Sequence, residues 1–226
     1  MPSSPSLPRR RDFLFGGASL TALALSGCAT SRQLPFPNLG NEPVISEYYL
    51  KMYGPLPNER FPVPAIDLRK VDPEWWRQEV ADPTGERPGT IVVNTGERHL
   101  YYVLEGGRAI RYGVGIGRDG FTWSGRAKVG RKAEWPVWTP PREMLERQPE
   151  TREWANGMPG GLTNPLGARA LYIYKDGRDT LYRLHGTMEI WSIGQAVSSG
   201  CVRLLFHDII DLYGRAPVGT PIVVNS

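Results

Sequence analysis

The chain has 226 residues, a net charge of +4 and 2 cysteines, with 26 glycines, 21 prolines and 7 tryptophans. Arg9, Arg10, Arg11 and Asp12 are the only charges in residues 1–27, so the rest of the chain stands at +2. That balance and the lack of a basic stripe exclude nucleic-acid binding, and the proline density excludes a helical bundle in favour of a turn-rich, mainly β chain.

Residues 1–27 read as an export signal and stay outside the fold. Arg9-Arg10-Arg11 before Asp12-Phe13-Leu14 fit a twin-arginine signal. The apolar run Phe13–Leu25 is interrupted by Gly16 and Gly17. It is shorter than the roughly 20 residues of a membrane span. Leu25-Ser26-Gly27-Cys28 has the form of a lipobox, with Cys28 as the lipidated first residue of the mature protein. The alternative is an ordinary signal peptide with an incidental cysteine. Either way the expected compartment is the periplasm, and a lipid on Cys28 is the only membrane attachment expected. With Cys28 so used, Cys201 is left as a lone thiol in an oxidising compartment.

Residues 28–88 form a proline-rich arm, with short helices expected around Ser46–Met52 and Asp72–Val80. Trp75 and Trp76 either pack back on the following domain or lie along a solvated tether. From Gly89 the pattern turns to β. Thr90–Asn94, His99–Leu104 and Ala109–Ile116 read as three strands joined by Gly-containing turns. Phe121–Trp138 carries Trp123, Trp135 and Trp138, which suit either a core or a groove. Arg142–Trp154 reads as a charged helix and 154–167 as a Gly/Pro/Asn loop. Ala168–Tyr174 and Leu181–Leu184 are strands, the second leading into His185. Residues 207–213 suit a helical turn or two, and Pro221–Val224 a last strand. His99, beside a turn, reads as structural or exposed. No spacing of His and Cys matches a metal site, and no cofactor is expected.

The chemistry-bearing stretch is His185-Gly186-Thr187 followed by Ser198-Ser199-Gly200-Cys201-Val202-Arg203-Leu204. A thiol with an imidazole nearby is the minimum apparatus for covalent acyl transfer, since the imidazole takes the thiol proton and the thiolate attacks a carbonyl. Ser-Ser-Gly before Cys201 and Val-Arg after it make a turn rather than an apolar core run, which disfavours an inert buried cysteine. His207 starts a helix and is a poor substitute for His185. Arg203, two residues past the thiol, shares its face if the segment is a strand. It suits either a substrate carboxylate or a structural pair with Asp208 or Asp211.

These residues resemble the signature of the L,D-transpeptidases, the YkuD-like catalytic domain of bacterial cell-wall enzymes. Asp208, Asp211-Leu212-Tyr213, Val114-Gly115-Ile116-Gly117 and Pro136-Val137-Trp138-Thr139-Pro140-Pro141 fit the same pattern. Ser199 departs from it, since a second histidine is commoner there. The resemblance implies a mainly β fold, a β-barrel-like sandwich with a few short helices, spanning 89–226 behind the arm. It implies Cys201 as nucleophile and His185 as base, acting on peptidoglycan tetrapeptide stems that contain meso-diaminopimelate. D-Alanine leaves, and the thioester passes to an amine of a second stem or of an outer-membrane protein. Backbone groups at Ser199 and Gly200 support the oxyanion, and the Ser199 carbonyl is expected to orient His185. Arg203, Gly186, Thr187 and Ser198 are the expected substrate contacts. Resolution by water would make the protein an L,D-carboxypeptidase. A non-catalytic peptidoglycan-binding lipoprotein is the reading from another class, disfavoured because both His185 and Cys201 are present. A papain-like protease would carry its cysteine before its histidine, the reverse of this order.

Overall fold

The computed structural model describes residues 44–117, 124–198 and 201–225. The export signal, Cys28, Trp123, Ser199 and Gly200 lie outside the described residues. In chain order the elements are α1 (Glu47–Met52), β1 (Gln78–Ala81), β2 (Ile91–Asn94), β3 (His99–Leu104), β4 (Arg108–Gly113), β5 (Ile116–Gly117), β6 (Gly125–Glu134), α2 (Arg142–Arg147), β7 (Arg169–Lys175), β8 (Arg178–Thr187), β9 (Ala196–Ser198), β10 (Val202–Leu205), α3 (Phe206–Arg215) and β11 (Pro221–Asn225). The fold is mainly β with few short helices.

Nine strands form one sheet in the order β1-β4-β3-β2-β11-β6-β7-β8-β10. Most neighbours are antiparallel, but β2/β11 and β8/β10 are parallel. Beyond β4, Gly115 exchanges both backbone hydrogen bonds with Arg203 of β10, at 2.9 and 2.8 Å. The free edge of β10 is thereby drawn back to the end of β4, which curls the sheet toward a barrel. Alternation along the strands sends Ile91, Val93, Leu100, Tyr112, Leu171, Ile173, Leu184, Val202, Leu204, Ile222 and Val224 inward. Helix α3 packs there through Ile209 and Leu212. Each such side chain contributes about 1.5–3 kcal/mol by leaving water.

Several elements differ from the sequence reading. The helix expected over 142–154 ends at Arg147, and 149–154 continue as a 3-10 turn. Pro149 explains the break, because it has no amide to donate and disfavours a helical residue before it. The helix expected over 72–80 is a 3-10 turn at Pro73–Trp75 followed by strand β1. There, Gln78–Ala81 finds the open edge of β4 to pair with. The third strand of the meander stops at Gly113, and Ile116–Gly117 pair separately with β9.

The segment 44–88 belongs to the same body as the domain after it. Tyr53, Leu68, Val71 and Trp76 bury with Ile193 and Leu205. Trp75 fits against Gly113 and Gly194, and Gly194 takes φ +77°, a backbone region that favours glycine. Polar contacts complete the clasp. The Tyr53 hydroxyl accepts from the Arg77 amide at 2.6 Å and donates to the Asp208 carboxylate at 3.3 Å. His207 sets its Nε2 2.6 Å from the Gly54 carbonyl, and Arg169 pairs with Glu59 at 2.8 Å. Burial pushes the Asp208 carboxyl up to about 7, opposed by Arg77. Tyr53→Phe leaves the Arg77 amide without that acceptor and the buried carboxylate without that donor. It is expected to cost about 2–3 kcal/mol, read as a lower urea midpoint at unchanged slope. An unchanged midpoint would remove this hydroxyl from the clasp.

Candidate active site

The site is made by the parallel pairing of β8 and β10. The register sets Val202 opposite Leu184 and Arg203 opposite His185. Leu184, Val202 and Leu204 point into the barrel core. Residues one step away therefore share the other face: Arg183 and His185 on β8, Arg203 on β10 and Cys201 just before it. Cys201 is partly exposed, and the Arg183 backbone N–H donates to its sulfur. The thiol thus sits beside Arg183, one strand across and one side-chain repeat from His185, a span of roughly 7 Å along the strand.

His185 is buried, with 5% of its surface exposed. Its Nδ1 lies 2.9 Å from the Gly186 carbonyl. A carbonyl only accepts, so Nδ1 carries the proton and Nε2 keeps its lone pair as the basic atom. The carbonyl that faces Nδ1 is that of Gly186, the next residue on β8; the one expected from Ser199 lies outside the described residues. A tautomer fixed this way does not depend on the side chain at 199.

Burial dominates the electrostatics. It lowers the His185 imidazole to about 4, with the Gly186 carbonyl opposing and the Arg203 and Arg183 charges adding to the depression. Burial raises the Cys201 thiol, while the Arg183 amide and the charges of Arg183 and Arg203 pull it down. At neutral pH the pair rests as thiol and neutral imidazole. The proton must then move as the sulfur attacks. The base is lost only when pH falls through about 4. Acylation of Cys201 is accordingly expected to be flat from about pH 5 to 8 and to fall near 4, not near the usual 6.5 of histidine. Rates of thiol acylation against pH check this, and an acid limb near 6.5 would contradict it.

Arg203 pairs with Glu189, not with Asp208 or Asp211. Asp208 faces Arg77 and Tyr53 instead, and Asp211 binds Tyr112, Arg77 and Arg215. Glu189 is half exposed at the turn after β8, so Arg203 stays at the mouth of the site. Gly186, one of the expected substrate contacts, lies against α3, where a Cβ would meet Phe206 and Ile209 at 2.9 and 3.0 Å. Thr187 is buried, and its hydroxyl accepts from the Glu189 amide at 3.0 Å, closing the turn. Ser198 ends β9, paired with Gly117. His99 is buried beside Trp75, with ring centroids 5.1 Å apart, and His207 is taken by the arm, so neither reaches the site.

The sequence reading missed Arg183 and the residues around it. Arg183 is clamped by Asp179 at 2.6 and 2.9 Å. It stacks on Tyr172 at 4.4 Å from the ring centroid, and Arg131 stacks on the same ring at 4.4 Å. The available signal was Arg183-Leu184-His185, which at strand periodicity places a cation on the face of the base.

Residues 88–224 match the family described as the L,D-transpeptidase catalytic domain, YkuD. The chain belongs to that family. It is 41% identical over 136 residues to the "Probable L,D-transpeptidase YbiS" of Escherichia coli K12, covering 58% of this chain and 42% of that protein. It is 37% identical over 153 residues to the "Probable L,D-transpeptidase ErfK/SrfK" of the same strain, covering 65% and 47%. The chain thus spans about half the length of the curated relatives it matches. A crystal structure from Brucella melitensis, described as a "Probable carnitine operon oxidoreductase caia", aligns at 42% identity and a TM-score of 0.48 over 70% of this chain and 99% of that one.

Proposed function

We propose that the protein is a cysteine-dependent L,D-transpeptidase acting on peptidoglycan stem peptides. The observation that supports this best is the placement of Cys201 on one face with a neutral, tautomer-fixed His185. In this reading Nε2 of His185 takes the Cys201 proton as Sγ attacks the carbonyl of the third stem residue, meso-diaminopimelate. The C–N bond to the terminal D-alanine breaks, and the imidazolium gives the proton to the leaving amine. A thioester remains. An amine of a second stem, or of an outer-membrane protein, attacks it, and His185 takes that amine's proton as the thiolate leaves. Backbone N–H groups at Gly200 and Cys201 are the proposed oxyanion donors.

The same reading holds that the chain is exported through the twin-arginine signal at Arg9-Arg10-Arg11 and works in the periplasm from a lipid on Cys28. Intact-mass analysis of membrane-extracted protein tests that part. A mature chain starting at an unmodified Cys28, or elsewhere, would contradict it. For the chemistry, the test is incubation with a carbapenem and peptide mass analysis. The expected result is one added carbapenem mass on the Cys201 peptide. No adduct there would favour the non-catalytic peptidoglycan-binding reading.

A further inference from the structure

Cys201 is approached by charge from several elements. From β8 come Arg183 and His185, and from β10 Arg203, whose partner Glu189 lies on the turn after β8. Asp179 meets Arg183 from the same strand. Behind Arg183, the register aligns Tyr172 of β7 and Arg131 of β6 in one cross-strand row. Arg183 differs from Arg203 in being spent internally. Its Nη1 donates to Asp179 and to the Tyr182 carbonyl, its Nη2 donates to Asp179, and its plane lies on Tyr172. Its side chain is 14% exposed. A guanidinium held this way makes a poor mobile ligand and a good fixed charge.

We infer that Arg183 is a positioning residue for Cys201: clamped by Asp179 and Tyr172, it holds a fixed positive charge and a backbone N–H against the sulfur, stabilising the thiolate and driving the transferred proton off His185. This rests on the reading of Cys201 as nucleophile. The proton leaves Sγ for Nε2 of His185 as the S–C bond forms. A nearby cation disfavours the imidazolium, so the proton passes on to the leaving nitrogen as the C–N bond breaks. The same charge favours sulfur's return as thiolate when the thioester is resolved.

The inference is tested by iodoacetamide alkylation of the full chain between pH 5 and 11. The Cys201 peptide is read by mass spectrometry, and histidine titration by NMR. In Arg183→Gln a charge that lowers both groups is lost. The midpoint for Cys201 alkylation should rise by about one pH unit, and His185 should titrate higher. The rate below the midpoint then falls about tenfold. A purely structural role gives the opposite sign at sulfur: a loosened site admits water, relieves burial and lowers the thiol midpoint. Arg183→Lys should restore most of the shift. Asp179→Asn, which leaves the cation without its anion, should move the thiol midpoint down, and this variant decides if Arg183→Gln does not fold. An unmoved or lowered midpoint in folded Arg183→Gln overturns the inference, as does a thiol midpoint that Asp179→Asn leaves unchanged or raises. A Cys201 that resists alkylation at every pH overturns both the inference and the nucleophile. A reactive, Arg183-dependent thiol with no activity on stems overturns only the proposed function.

Discussion

Cys201→Ala is expected to abolish acyl transfer while leaving the fold intact. Cys201 precedes β10 at a partly exposed position, outside the barrel core made by Leu184, Val202 and Leu204. Losing one sulfur there removes little packing, and the stability change should stay within about 1 kcal/mol. The covalent route, however, runs through the sulfur. The neighbouring hydroxyl at Thr187 is committed to the Glu189 amide, and no thioester can form without sulfur. Turnover should drop at least about 10⁴-fold, in line with removal of a nucleophile from a concerted group. Stem-peptide turnover and a denaturation curve on the same sample check both halves. Activity within tenfold of the parent would remove Cys201 from the mechanism.

His185→Ala is expected to slow acylation by about 10²–10⁴-fold near neutral pH, the usual worth of a positioned base. The loss should also change the pH profile. In the parent, the base is already neutral above about pH 4, so rate does not follow pH through the neutral range. In the variant, only the spontaneously ionised thiol reacts. That thiol is raised by burial, so its thiolate fraction grows about tenfold per pH unit up to a midpoint above the ordinary range. The variant's rate should therefore climb with pH and partly recover in alkali. A variant profile as flat as the parent's would show that His185 is not the base.

Much of the fold was legible because the strands that carry it are short apolar runs bounded by turn residues. Ile91–Asn94, His99–Leu104 and Arg108–Gly113 combine β-branched or aromatic residues with Gly-containing turns, and they form the expected meander, the third strand ending three residues early. Strand β6 was not legible. Its sequence GRAKVGRKAE is dominated by charge and glycine, and a bulge between Val129 and Arg131 breaks its alternation. The packing of segment 44–88 was hidden for another reason. Its prolines read as an arm whose Trp75 and Trp76 either pack back or lie along a solvated tether, while Tyr53, Leu68, Val71 and Trp76 bury at irregular spacings that no periodicity exposes. At the site, His185 and Cys201 declared themselves by residue type. The row Arg131, Tyr172 and Arg183 did not, because it is assembled across three strands whose registers shift at bulges. The Gly186 carbonyl beside His185 Nδ1 was not legible either, because a backbone acceptor leaves no mark on residue type.

The most direct test of acyl transfer through Cys201 is incubation of the protein with purified disaccharide-tetrapeptide stems, with mass spectrometry of both products and protein. The predicted result is a cross-linked dimer lacking one D-alanine, with a transient thioester on the Cys201 peptide. Tripeptide alone, with no dimer, would replace the transferase with a carboxypeptidase using the same thiol. Stems recovered unchanged beside an unmodified Cys201 would contradict the account.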